Sequence, residues 1–181
     1  MIKGQVISGK FGEIAIRQKS DAEIELGELL IGKNGDSKIL LQVYDMMFAS
    51  QISKENLELI SGMILEEGEE MQFMEPHLRN YTLALLKNLI TINGKDAKTS
   101  KTLPSFFSEV REVTKEDLTF LTRPKNPLFV GNLRSGSKVL DVDLFLPGED
   151  VFSHHILIPA TTGRGKSLDG NEEVLIRHNN M

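Results

Sequence analysis

The chain has 181 residues, no cysteine and a net charge of −5. Without cysteine it can build neither a disulfide framework nor a thiolate zinc site, and a reducing cytoplasm is the expected setting. The acidic balance excludes an electrostatic glove for DNA, while 40% hydrophobic and 26% charged residues are ordinary for a globular protein with a real core.

The start, Met1 to Val6, lacks the apolar stretch of a signal peptide, and no segment has the length needed to cross a bilayer. Ile2 to Ser8 and Glu13 to Arg17 read as short strands around the glycine-bearing turn Gly9 to Gly12. Glu28 to Gly32 and Lys38 to Tyr44 flank Lys33 to Ser37, in which Asn34-Gly35 is a strong hairpin signal. Ser53 is placed to cap a helix reaching Glu67, with Leu57, Ile60 and Ile64 on one face.

Tyr81 to Ile92 fits a helix through Leu83, Leu86 and Ile90, yet its Tyr, Thr and Ile content and the closing Asn93-Gly94 turn favour a strand. Lys95 to Thr102 reads as a polar loop and Pro104 to Phe107 as a compact apolar spot. Thr114 opens a short helix through Leu121, with Glu116 and Asp117 in its first turn. Many short strands joined by glycine turns suggest a closed or nearly closed barrel.

Two prolines between Arg123 and Pro127 mark the best boundary in the chain. Beyond it, Phe129 to Leu133 and Val139 to Leu146 are strands around the turn Arg134 to Ser137. Asp141 and Asp143 share one face of the second strand; a metal site is conceivable there, but a solvated face is the better reading. Pro147 to Asp150 is expected to turn, and His154 and His155 to point to opposite faces of the strand that follows, one packed and one in solvent.

Ile156 to Ile158 then form an apolar run that enters Pro159-Ala-Thr-Thr-Gly-Arg-Gly-Lys-Ser167. A phosphate cradle needs glycines to let backbone N–H groups curl around oxygens, a lysine to reach the outer phosphates, and a hydroxyl for Mg²⁺. Gly163, Gly165, Lys166 and Ser167 fill these roles, and Thr162 and Arg164 complete the nucleotide-contacting run. Ala160 stands where the first glycine of such loops belongs, and the bland alternative is a glycine turn with a surface lysine. A P-loop normally opens a helix whose N-terminus faces the phosphates. Here Asp169-Gly170-Asn171 is a turn and Val174 to Arg177 a short strand, and no apolar strand ending in acidic residues follows. The polypeptide is therefore expected not to hydrolyse ATP by itself.

The order of a glycine-rich barrel, Phe129 to Leu133, a strand pair, and Ser153 to Ser167 resembles the HerA-like archaeal DNA translocases of the FtsK–HerA group of ring ATPases. The resemblance implies a mainly β chain with some α. A small HAS-type β-barrel with helical insertions would occupy residues 1–122, and the start of a RecA-like α/β ATPase domain residues 123–167. It further implies a homohexameric motor that uses ATP and Mg²⁺ to move double-stranded DNA in end resection and repair, with a NurA-type nuclease docking on the barrel. Gly163, Gly165, Lys166 and Ser167 match the family's Walker A loop; Arg164 stands where a small residue is commoner.

Residues 168–181 resemble the opening of an intein, with Ser167 as splicing nucleophile on the Lys166 carbonyl; a truncation or a shifted reading frame are the alternatives. The fragment itself is expected to serve assembly and partner docking, with double-stranded DNA held by the motor or by an assembled ring. Apart from the resemblance, a non-catalytic β-barrel interaction module unrelated to DNA translocation stays open.

Overall fold

The computed structural model describes residues 1–67 and 80–153. Nine strands dominate the described residues. Strand β1 (Ile2–Lys10) and β2 (Glu13–Gln18) form one hairpin, and β3 (Leu29–Asn34) and β4 (Ser37–Ser50) a second. Helix α1 (Lys54–Glu67) follows, then β5 (Asn80–Asn93), β6 (Asp96–Thr99) and β7 (Glu109–Glu112). A single 3₁₀ turn (Lys115–Leu118) precedes the hairpin of β8 (Pro127–Ser135) and β9 (Lys138–Pro147), and α2 (Gly148–Phe152) closes the described chain.

The sheet runs β2-β1-β7-β3-β4-β5-β6, and β2 also pairs with β5. Six antiparallel strands thus close on themselves as a barrel, with β6 appended outside the ring. The chain is mainly β with few helices, as its glycine turns and alternating strands predict. Closing six strands requires sharp bends, and irregularities in register supply them between Val6 and Ser8, Leu40 and Leu41, and Val43 and Asp45. Strand β5 spans the bend: its first half pairs with β2 and its second with β6.

Every barrel strand sends apolar side chains inward. Val6, Ile14, Ile16, Leu30, Ile39, Leu41, Val43, Ala84, Leu86 and Val110 pack, with Ile24, into one buried cluster. Burying each large side chain of this set is worth about 1.5–3 kcal/mol. Strand β3 is buried on both faces, which explains its unbroken Leu29-Leu-Ile run. Leu30 points into the barrel, while Leu29 and Ile31 join a second cluster with Leu40, Ile92, Val113 and Leu118 on the outside. Leu133, Leu140 and Val142 of the β8–β9 hairpin cover that outer cluster.

Several expectations need correcting. The span Lys95 to Thr102 is not a plain loop, because Gly94 adopts a positive φ of 62° and turns the chain back into β6 against β5. Its polar composition reflects an exposed edge strand. The β3–β4 turn is Gly35-Asp36, inside the expected Lys33 to Ser37 span, since Asn34 still pairs with Ser37. Pro147 to Asp150 leads into α2 instead of a simple turn. The helix at Thr114 is one 3₁₀ turn, and β4 extends past Tyr44 to Ser50 because β5 pairs with it along that whole length. Tyr81 to Ile92 is strand, and the Ser53 backbone carbonyl accepts the N–H of Leu57 at the start of α1.

By compactness the chain falls into two units: Met1–Thr122 with Val130–Leu144, and Arg123–Phe129 with Phe145–Met181. Among the described residues no helix is long and apolar enough to cross a membrane.

Candidate functional site

The residues singled out for nucleotide binding, Thr162, Gly163, Arg164, Gly165, Lys166 and Ser167, lie outside the described residues, as do Ser167's expected Mg²⁺ role, His154 and His155. What the structure does describe is the approach to that loop and the surface of the barrel ahead of it.

Within the second unit the approach is organised around two aromatic rings. Phe129 and Phe145 lie 5.6 Å apart between centroids, and the Arg123 guanidinium sits 5.0 Å over the Phe145 ring. The Gly148 N–H donates to the Asn126 carbonyl at 2.7 Å, and the Asn126 side-chain amide donates to Glu149. The proline-flanked connector is therefore tied to the first residues of α2 and does not hang as a free linker.

Within the barrel unit, the tip of the β8–β9 hairpin is fastened by polar contacts that complement its apolar underside. The Leu29 N–H at the start of β3 donates to the Ser135 hydroxyl at 2.8 Å, a buried bond. The Ser137 N–H and hydroxyl both donate to the Glu25 carboxylate, at 2.7 and 2.5 Å, and hold its pKa below the usual range. Between them Gly136 has φ 60°, and a Cβ there would meet the Glu25 carboxylate. Lys138 pairs with Glu112 at 3.0 Å and Lys115 with Asp141 at 2.6 Å. Asp141 and Asp143 do lie together on the exposed face of β9; Lys115 neutralises the first, and Asn132 donates to the second at 3.0 Å. Among the described residues no group of His, Asp or Glu is arranged to hold a metal ion.

One charged node stands out for its burial. Asp117, only 2% exposed, accepts two parallel bonds from Arg111 at 2.7 and 2.8 Å, one from Lys38 at 2.8 Å, and two from Thr114 N–H and Oγ1 at 3.0 Å. Burial pushes its carboxyl up, but the donors outweigh that and hold it well below the usual carboxylate range. The same contact raises the Arg111 guanidinium. Three segments, β4, β7 and the 3₁₀ turn, meet at this carboxylate, so its role is to lock the barrel wall. Sequence reasoning placed Asp117 in a helix first turn but had no signal for its partners.

On the outer barrel wall a groove of about 630 Å³ runs over Ile2, Gly4, Gln5, Arg17, Gln18, Lys19, Ser20, Asn80, Tyr81, Thr82 and Glu109. The Arg17 guanidinium stacks on the Tyr81 ring at 4.0 Å. Around the same wall, Phe106 and Phe107 expose most of their rings, packed edge to face at 4.4 Å. Phe107 has φ 60°, an uncommon conformation for a bulky side chain. Its N–H donates to the Val6 carbonyl at 3.0 Å and its carbonyl accepts from Gln5 Nε2 at 2.8 Å, which hold the strained turn in place. The expected compact apolar spot at Pro104 to Phe107 is thus split, with Pro104 buried and both rings in solvent.

Comparison with protein-family models finds no match, and a search of curated proteins finds none either.

Proposed function

We propose that the chain is the N-terminal part of an ATP-dependent double-stranded DNA translocase of the HerA type, acting in DNA end resection and repair. The barrel serves assembly and partner docking. The observation that carries this reading is the order along the chain: a closed six-stranded barrel, a hairpin fastened to its wall, then an apolar sequence entering Gly163-Arg-Gly-Lys-Ser167. In this reading Lys166 lies against the outer phosphates and the Ser167 hydroxyl, or its counterpart after splicing, faces Mg²⁺. One hydroxyl without a companion carboxylate is too small a donor set for a working Mg²⁺ centre, so these 181 residues bind partners without turning over ATP.

The homohexameric ring, a NurA-type nuclease and double-stranded DNA are the partners this reading supplies. Two assays test it. Phosphate release from ATP and Mg²⁺ should be absent for the 181-residue chain; turnover lost in Lys166→Ala would overturn the non-hydrolysing assignment. A polypeptide that continues through a complete motor domain should show ATP turnover stimulated by double-stranded DNA and abolished by the same substitution. Absence of any DNA-stimulated turnover there would favour a barrel interaction module unrelated to translocation, to which the exposed Phe106 and Phe107 would equally belong.

A further inference from the structure

The run Ser100 to Ser108, which links β6 to β7, lies across one end of the barrel. Asn88 of β5 donates its side-chain amide to the Thr102 carbonyl at 2.8 Å and accepts the Gly12 N–H of the β1–β2 turn at 3.3 Å. Pro104 packs over Gly32 and Leu41, and a Cβ added to Gly32 would lie 3.2 Å from the Pro104 Cβ. The Ser105 N–H donates to the Lys33 carbonyl at 2.8 Å, and the Phe107 N–H to the Val6 carbonyl at 3.0 Å. Anchored in this way to β1, β3 and β5, the run buries Ser100 and Pro104 and leaves Lys101, Leu103, Phe106 and Phe107 exposed. The exposed residues combine flat rings with uncompensated positive charge. Phe106 and Phe107 are 61% and 62% exposed. Lys33, Lys98 and Lys101 are exposed, and their ammonium groups have no hydrogen-bond or ion-pair partner among the described residues.

We propose that this barrel end is a stacking platform for single-stranded DNA, with bases lying on the Phe106 and Phe107 rings and Lys33, Lys98 and Lys101 reaching the phosphates beside them. Every base has a π-face, so the contact tolerates any sequence, but the bases must be free of a duplex to offer it. A double helix hides those faces and presents denser charge than three lysines can match. Asp36 and Asp96 at the neighbouring hairpin tips, and Glu109 just after the run, are exposed acids that hold down the local positive potential. Stacking therefore carries most of the contact and charge the lesser part, in keeping with a net charge of −5 on the whole chain.

The backbone strain at Phe107 fits the same role. Its φ of 60° is held by the bonds to Val6 and Gln5, which set both rings outward before any ligand arrives. Little ordering then remains to be done on contact. The platform needs neither ATP nor a motor; only the choice of DNA over RNA rests on the translocase reading. It adds a single-strand surface on the barrel to the duplex contact that reading gives to the motor or the ring.

Fluorescence anisotropy of a labelled oligothymidylate of about 20 nucleotides, titrated with the full 181-residue chain at low salt, tests the proposal. Saturable binding is expected, tighter than to a blunt duplex or an oligouridylate of the same length. Phe106→Ala should weaken it about tenfold with an unchanged thermal melt, and Phe106→Tyr should hold it to within about threefold. Three lysines imply that log K falls with log salt at a slope of about −2, and Lys33→Gln and Lys101→Gln should each reduce that slope by about 0.7. No binding at any concentration overturns the proposal and leaves the rings to a protein partner. Binding indifferent to Phe106→Ala overturns it too, as does a preference for the duplex, and a preference for the oligouridylate overturns the choice of DNA. DNA-stimulated phosphate release decides the translocase reading separately, so the two fail independently.

Discussion

Replacing Asp117 by alanine should cost the barrel about 3 kcal/mol. The carboxylate accepts five hydrogen bonds, three of them from cationic donors. A hydrogen bond to a charged group is worth about 1.5–3 kcal/mol, and breaking a buried ion pair by removing one partner costs about 3–5 kcal/mol. Arg111 and Lys38 retain 29% and 41% side-chain exposure, so water recovers part of what they lose and the lower end of that range applies. For a unit of this size that corresponds to a drop in Tm of about 10 °C. Urea titration and thermal circular dichroism of the wild type and Asp117→Ala would measure it.

The same carboxylate predicts an acid limb. Its folded pKa is depressed, so below about pH 4 the unfolded chain binds the proton first, and stability falls as pH falls. Asp117→Asn should be less stable than wild type at neutral pH and lose less on going to about pH 3. A loss under about 1 kcal/mol for Asp117→Ala, or an unchanged acid limb in Asp117→Asn, would refute the view that this node locks the wall.

Three further outcomes follow from the geometry. Gly136→Ala should destabilise by about 1–2 kcal/mol, since it places a Cβ against the Glu25 carboxylate in a left-handed turn; limited proteolysis of the hairpin tip and a melt would register it. Phe107→Asn should leave the barrel equally stable or firmer by about 0.5–1 kcal/mol, because Asn accepts φ near +60° more readily than Phe, and a clear loss in the melt would contradict the strain. Lys3 and Glu28 form a buried pair at 2.9 Å. Lys3→Met alone should cost about 3 kcal/mol in urea unfolding, whereas Lys3→Met with Glu28→Leu should recover much of it; equal losses in both would show that the charge left behind is not the cause.

Local chemistry determined a large part of this protein. Gly12, Gly35, Gly94 and Gly136 all adopt positive φ at turns between strands, a conformation glycine reaches at little cost. Alternating residues such as Ile14, Ile16, Leu41, Val43, Ala84 and Leu86 carry their own inward face by the period of two. These signals act between near neighbours, and so the hairpins, the strand character of Tyr81 to Ile92 and the solvated face of Asp141 and Asp143 were legible. The proposal of a phosphate-binding loop likewise rests on a contiguous run, Gly163 to Ser167.

Tertiary structure alone decided the rest. Strand β7 is four residues with a single fully buried apolar side chain, Val110, between charged neighbours. It is a strand because β1 and β3 offer it edges on both sides, which no local pattern announces. Closure through the β2–β5 ladder joins residues some 70 positions apart, such as Ile14 and Leu86, and turns an open sheet into a barrel. The charged node brings Lys38 to Asp117 across 79 positions. Turns and alternation are properties of adjacent residues, so the chain states them outright. Closure and buried charge are properties of residues made neighbours by folding, and only the folded wall brings them together.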